Sequence, residues 1–284
     1  MNQRNAIQYM LLSTLLFSFM SWIVKFLDEF SAFQLMFFRS FGTLVFSAGY
    51  LIIYKIPPLG NQIKLLIARG LTGSSAMLLF FMGIHIMSLG SVVSLRYTAP
   101  LFVALLAVIF LKEKIKALQW FYIGLSFVGV LIVKGFEPSV SLTGLIIVLS
   151  SALLSAITFM LISKIGTKDH HMVIITYFMF IASIVGGIGA LFTWRTPQGI
   201  EWVLLIATGL LGFVAQVFMT KAFQIGPAYK IAPFKYVEVV FSLLIGTFFF
   251  LDVYSIYSII GMMLIITGLT LNALYKRKKS AITQ

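Results

Sequence analysis

Apolar residues run for about 20 positions at a time along this chain, and short polar breaks separate the runs. An α-helix rises about 1.5 Å per residue, so each run is long enough to cross the roughly 30 Å hydrocarbon core of a bilayer. Ten runs can be read, at approximately 5–25, 32–54, 63–84, 91–111, 117–134, 142–164, 172–194, 201–225, 228–251 and 255–275. Turn-forming residues mark the breaks: Pro57-Pro58-Leu59-Gly60, Glu137-Pro138-Ser139, Thr196-Pro197-Gln198-Gly199 and Gly226-Pro227. Only between the third and fourth runs, over Ile86 to Ser91, is there hardly a polar break. Backbone amides inside lipid find no water, so each segment must satisfy its own, and ten such segments are predicted to be helices. The first run, Ile7 to Val24, is uncharged, exceeds a signal-peptide core and meets no small-residue cleavage site, so it is expected to stay as a span.

The runs also repeat in a fixed register, residue n matching residue n+139 without a gap. Tyr97 falls on Tyr236, and Pro58, Gly60, Gly70, Gly73 and Gly129 fall on Pro197, Gly199, Gly209, Gly212 and Gly268. Lys25 meets Lys164, Arg96 meets Lys235, and Glu113 meets Asp252. The expected domains are therefore a five-helix repeat over 1–136, a second over 140–275, and a basic tail over 276–284. Five spans per copy is an odd number, which inserts the second copy upside down relative to the first, the signature of a secondary transporter. Gly70 with Gly73, and their images Gly209 with Gly212, put small residues on one face of spans three and eight, where close helix packing is expected.

Composition supports the membrane assignment: 60% of the residues are hydrophobic and 10% charged, with a mean hydropathy of +1.04. A net charge of +13 would suggest nucleic acid in a water-soluble protein, but here the charges sort by loop. Arg4, Lys55, Lys64, Lys112, Lys114, Lys116, Lys164, Lys168 and the tail Lys276-Arg277-Lys278-Lys279 fall on one side, and only Lys25, Lys134 and Arg195 on the other. Basic loops stay cytoplasmic, so both termini are expected in the cytoplasm of a cell (inner) membrane protein, with anionic lipid rather than nucleic acid facing the tail. No cysteine is present, so no disulfide or thiolate metal site exists.

Several stretches carry a resemblance. Lys221-Ala222-Phe223-Gln224-Ile225-Gly226-Pro227-Ala228 and Ile231-Ala232-Pro233-Phe234-Lys235-Tyr236-Val237-Glu238 resemble the span eight to nine pattern of the EamA branch of the drug/metabolite transporter superfamily. Phe37-Phe38-Arg39, Ala68-Arg69-Gly70 and Leu111-Lys112-Glu113 match as well, although Phe250-Leu251-Asp252 stands where that family commonly has Glu. The similarity covers almost the whole chain, and bacterial S-adenosylmethionine uptake transporters are similar in these same stretches. The resemblance implies a ten-span carrier; amino acids, nucleotide sugars, drugs and other metabolites are all moved by the superfamily.

A charge at the bilayer centre costs at least about 2.5 kcal/mol, so each embedded charge calls for a reason. Arg96 and Lys235 each lie a turn or two inside a span, from opposite faces, with Tyr97 and Tyr236 beside them and Pro100 and Pro233 close by. Inverted symmetry would aim both at one central cavity; the competing expectation is that they only fix helix packing. Glu238 is the sole acid inside a span, one turn from Lys235, and suits either an i,i+3 ion pair or a proton-coupling carboxylate. Arg39 has Phe178 as its image and would pair with Glu238 or bind an anionic substrate group. Arg69 and Lys221 are expected to snorkel to the cytoplasmic interface, and Lys230 to lie there. Trp22, Tyr177, His85, Gln216 and Gln224 are weaker candidates for the cavity wall, and Glu113 with Asp252 are expected to make helix-end contacts.

No His-Glu-x-x-His or Gly-x-Ser-x-Gly motif and no nucleotide-binding loop occurs, which disfavours an enzyme and an ATP-driven pump. No cofactor is called for. The expected function is a secondary active transporter of a small metabolite by alternating access, with proton coupling or exchange and room for a homodimer. The charges suit a zwitterion or an anion with an apolar or planar part, such as an amino acid derivative or a nucleoside-containing metabolite. Two alternatives stay open: an exporter of drugs or amino acids, and an oligomeric channel or membrane scaffold.

Overall fold

The structure is a computed structural model and describes residues 3–96, 98–99, 101–103, 105–106, 117–136, 140–225, 231, 234–235, 237–251 and 254–282. Tyr97, Pro100, Lys112, Glu113, Lys114, Lys116, Lys230, Pro233, Tyr236 and Asp252, singled out above, lie outside the described residues. Among the described residues there are ten α-helices: α1 (Gln3–Phe26), α2 (Ala32–Ile53), α3 (Ile63–Ile86), α4 (Leu89–Arg96), α5 (Ala117–Phe136), α6 (Leu142–Ile165), α7 (His171–Phe192), α8 (Ile200–Ile225), α9 (Val237–Phe250) and α10 (Ile256–Ile282). Six of them, α1, α2, α3, α6, α7 and α8, are each long and apolar enough to cross a membrane. The molecule is an all-helical, multi-span membrane protein.

Local chemistry sets the helix starts. Ser31 caps α2 by accepting from Gln34 N at 3.2 Å, and its image His170 caps α7 through Nδ1, accepting from Met172 N at 3.3 Å. Gly60 and its image Gly199 both take positive φ, 67° and 49°, at the turns that precede α3 and α8. No side chain of its own turn caps α3. The Asp169 carboxylate, from the loop between α6 and α7, instead accepts from the amides of Asn61 and Gln62.

Helix packing maps onto itself when five is added to each helix number. The largest contacts pair α2 with α7 and α5 with α10, each a helix with its own image, followed by α1 with α8 and α3 with α6. Pairing of α2 with α8 is likewise mirrored by α3 with α7, and α1 with α9 by α4 with α6. The same holds atom by atom. Ser126 Oγ donates to the carbonyl of its own image, Ile265, at 3.3 Å. Gly70 approaches the Tyr177 carbonyl, and Gly209 the carbonyl of Phe38, whose image in the 139-residue register is Tyr177.

The image helices α2 and α7 run antiparallel. At one end Ser31 Oγ lies 2.7 Å from Thr193 Oγ1, and Gln34 Nε2 donates to the Arg195 carbonyl at 2.6 Å. At the other end the rings of Tyr50 and His170 stack at 6.0 Å. Small residues allow the tightest crossing: a Cβ placed on Gly42 of α2 would fall 2.9 Å from Gly209 Cα of α8.

Two differences from the sequence expectation concern element ends. The described part of α9 starts at Val237, preceded by a tight turn at 234–235, where a continuous span from 228 was expected. Helix α10 continues to Ile282, so residues 276–282 of the basic tail extend the last helix. Lys and Arg are good helix formers, and neither Gly nor Pro follows Tyr275 to break the helix.

Candidate functional site

Where the two sets of helices part near the centre they leave a cavity of about 590 Å³, open solvent at its mouth included. Helices α1, α2, α3, α4, α6, α7 and α8 wall it, together with Lys235 and Glu238 at the start of α9. Among the described residues four cations, Arg39, Arg69, Arg96 and Lys235, line it against one carboxylate, Glu238.

Arg39 is carried inward on the buried face of α2, which also holds Leu35, Met36 and Thr43 at helical spacing. It is 4% exposed. Nε points at the Met20 thioether at 3.1 Å and Nη1 at that of Met77, with the Phe17 ring 5.8 Å away. Arg69 is 1% exposed and lays its guanidinium over the Phe178 ring at 4.1 Å. Among the described residues its Nε and Nη1 find no hydrogen-bond partner. The half-buried Arg96, at the end of α4, places its guanidinium over Phe80 at 3.9 Å.

Lys235 and Glu238 are both buried. Their Nζ and Oε2 atoms are 3.8 Å apart, the expected i,i+3 pair. Lys235 Nζ also sits 3.9 Å from the Met219 sulfur and 5.2 Å from the centre of the Phe17 ring. The cations feel one another: Arg39 is within electrostatic range of Arg69 and Arg96, and Lys235 of Arg96.

Of the candidates named from the sequence, Arg39, Arg96, Lys235, Glu238 and Gln216 are thus brought together around one cavity. Trp22 is not among its lining residues and packs against Phe249 at 5.4 Å. Tyr177 is not among them either and donates its hydroxyl to the Leu59 carbonyl at 2.9 Å. Gln224 is taken up by the Gly166 and Asp169 carbonyls. Tyr97 and Tyr236 are outside the described residues.

Arg69 corrects the expectation that it snorkels to the interface. The missing side chain at Gly73, one turn on, leaves the space that its Nη1 occupies, and Phe178 offers a ring face there. Phe17, Phe80, Phe159, Phe178, Met20, Met77 and Met219 also line the cavity, and the sequence pattern does not single them out. Lipid and cavity wall are both apolar, so a Phe or Met in a hydrophobic run carries no mark of which it faces. Among the described residues no group of three His, Asp or Glu is placed to hold a metal ion.

Comparison with known proteins follows the same division into halves. The model of the EamA-like transporter family matches residues 4–135 and again 142–274. Solute carrier family 35 member G1 of Homo sapiens is 30% identical over 279 residues, 92% of this chain and 76% of that protein. The pseudopaline exporter CntI of Pseudomonas aeruginosa is 29% identical over 266 residues, 90% of this chain and 92% of its own. The S-adenosylmethionine uptake transporter of Rickettsia prowazekii is 27% identical over 283 residues, covering 97% and 94%. A crystal structure superimposes with a TM-score of 0.71 over 98% of this chain and 99% of that one, at 14% identity, a likeness of fold alone.

Proposed function

Because this chain belongs to the EamA-like transporter family, we propose that it is a secondary active carrier, moving a small metabolite across the cytoplasmic membrane by alternating access around the central cavity. The observation that carries the proposal is the placement of buried charge. Arg39, Lys235 and Glu238, costly groups to keep in a bilayer, converge on a cavity that lies between two sets of helices packed as images of each other. The antiparallel run of α2 against α7 supports an inverted repeat of five spans each, at 1–136 and 140–275, and inverted repeats rock about a central site in many carriers. The bias of Lys and Arg toward one set of loops supports cytoplasmic termini. Glu238, beside Lys235, is the carboxylate that proton coupling would use.

Counterflow in liposomes tests the proposal. Purified protein in vesicles loaded with amino acids, organic acids or nucleosides is expected to give saturable uptake that the same solute inside accelerates. Flux that neither saturates nor responds to solute inside would mark a channel, and flux no greater than in protein-free vesicles for every solute would overturn the proposal.

A further inference from the structure

Arg39 and Arg69 are charges that the first half carries and the second half lacks at the matching positions. Their images in the second half, Phe178 and Thr208, are neutral. Both guanidiniums are more than nine-tenths buried. Among the described residues no carboxylate lies within ion-pair distance of either, the three ion pairs being made by Arg195 and Lys235. Arg39 points two of its nitrogens at thioether sulfurs, which are weak acceptors. Arg69 leaves Nε and Nη1 without acceptors among the described residues. Glu238, the only carboxylate on the described cavity wall, is already 3.8 Å from Lys235. A buried cation without a counter-charge is strongly unfavourable, so this half of the cavity is built to be completed by an anion.

We propose that the cavity takes a small organic molecule of net negative charge, its carboxylate or phosphate held by Arg39 and Arg69 and its flat apolar body set against Phe17, Met77 and Met219. Arginine forks match the oxyanion geometry of either group. The ring and thioethers give an apolar, adaptable surface for the rest of the molecule. A net cation such as S-adenosylmethionine, with a sulfonium and an ammonium against one carboxylate, would meet four like charges and one acid. The inference rests on the cavity being the transport site.

Thermal unfolding of the full chain in nanodiscs, with phenylpyruvate, phenyl phosphate, acetate, phenylalanine and S-adenosylmethionine as probes, tests it. Phenylpyruvate or phenyl phosphate is expected to raise the melting temperature, with an affinity at least about tenfold above that of acetate or S-adenosylmethionine. Whichever of the two acts identifies the carboxylate or the phosphate. Arg39→Gln and Arg69→Gln should abolish the rise, while the ligand-free melting temperature of Arg69→Gln stays at or above that of the unsubstituted protein, because an uncompensated charge has gone. An equal response to S-adenosylmethionine, an undiminished response in both variants, or no response to any probe would overturn the proposal. Counterflow of amino acids or S-adenosylmethionine without counterflow of the two anions would also overturn it and leave the carrier standing. Absence of counterflow for every solute would remove the carrier as well.

Discussion

Glu238 and Lys235 form a buried pair that answers unequally to the loss of either member. Glu238→Gln removes the carboxylate 3.8 Å from the buried Lys235 ammonium, which also lies within electrostatic range of Arg96, and breaking a buried pair in this way costs about 3 kcal/mol. Lys235→Met leaves Glu238 in a cavity that still holds three guanidiniums, so its cost is expected to be no more than about 1 kcal/mol. Thermal unfolding in one detergent should therefore rank Glu238→Gln well below Lys235→Met, and equal losses would show that the guanidiniums do not compensate the carboxylate. Counterflow is expected to fail in both. Gly73→Ala makes a related point, since its methyl group would meet Arg69 Nη1 and lie 3.0 Å from the Phe178 ring. It should weaken binding of an aromatic acid at least about tenfold while the protein still elutes as one species, and unchanged affinity would show that the Arg69 position does not matter. At this scale the sequence exposes charges, because Arg39, Arg96, Lys235 and Glu238 stand out in apolar runs. Depth is harder to see: by its place in the run Arg69 is close enough to the interface to reach water, and only the space beside Gly73 and the ring of Phe178 explain why it turns inward.

The crossing of α2 with α8 shows how one glycine pair can differ from its image. Gly209 meets the backbone of Gly42, whereas Gly70 meets mainly the flexible end of Ile181. Backbone cannot step aside as a rotamer can, so Gly209→Ala should destabilise by about 1–3 kcal/mol and Gly70→Ala by less, measured as melting temperatures of the two variants. Equal losses would mean that Ile181 has no room to move. A second element, the cap of α7, depends on pH. His170 must stay neutral to accept from Met172 N, and burial together with nearby Lys221 holds its pKa below the ordinary histidine value. The cap is therefore present above that ordinary value and is lost as the pH falls through the lowered one, removing about 1 kcal/mol. His170→Asn should keep the cap and flatten this part of the acid dependence in thermal unfolding; an unchanged profile would show that another group titrates there. The existence of the long helices is legible because bilayer thickness fixes run length, and most of their ends fall within two or three residues of the expected ones. The cap that Asp169 gives α3 is not, since it crosses from another loop 108 residues away.

Across the whole molecule, each end of the bundle is tied by polar contacts that a rocking carrier must release in turn. At the end away from the termini, Arg195 pairs with Glu29 at 2.7 Å and with Glu201 at 2.9 Å, and Gln34 holds the Arg195 backbone. At the other end Asp169 and Gln224 tie the loop between α6 and α7 to the start of α3 and the end of α8. The 139-residue register makes the halves legible in the sequence alone, because gap-free repetition keeps Gly60, Gly70, Gly73, Gly129, Lys25 and Arg96 in phase with their images. These ties are not legible there, because they join residues that are not images of each other. They offer a direct test, helped by the complete lack of native cysteine. Ser31 and Thr193, whose hydroxyl oxygens are 2.7 Å apart, sit at the junction of α2 with α7. A double substitution, Ser31→Cys with Thr193→Cys, should close by oxidation into a bridge that fixes this end shut. If both faces must open alternately, the oxidised protein loses nearly all counterflow and regains it on reduction, while each single variant ignores the oxidant. Full counterflow in a completely bridged protein would mean that α2 and α7 do not separate at this end, and the path of the substrate would have to lie between other helices.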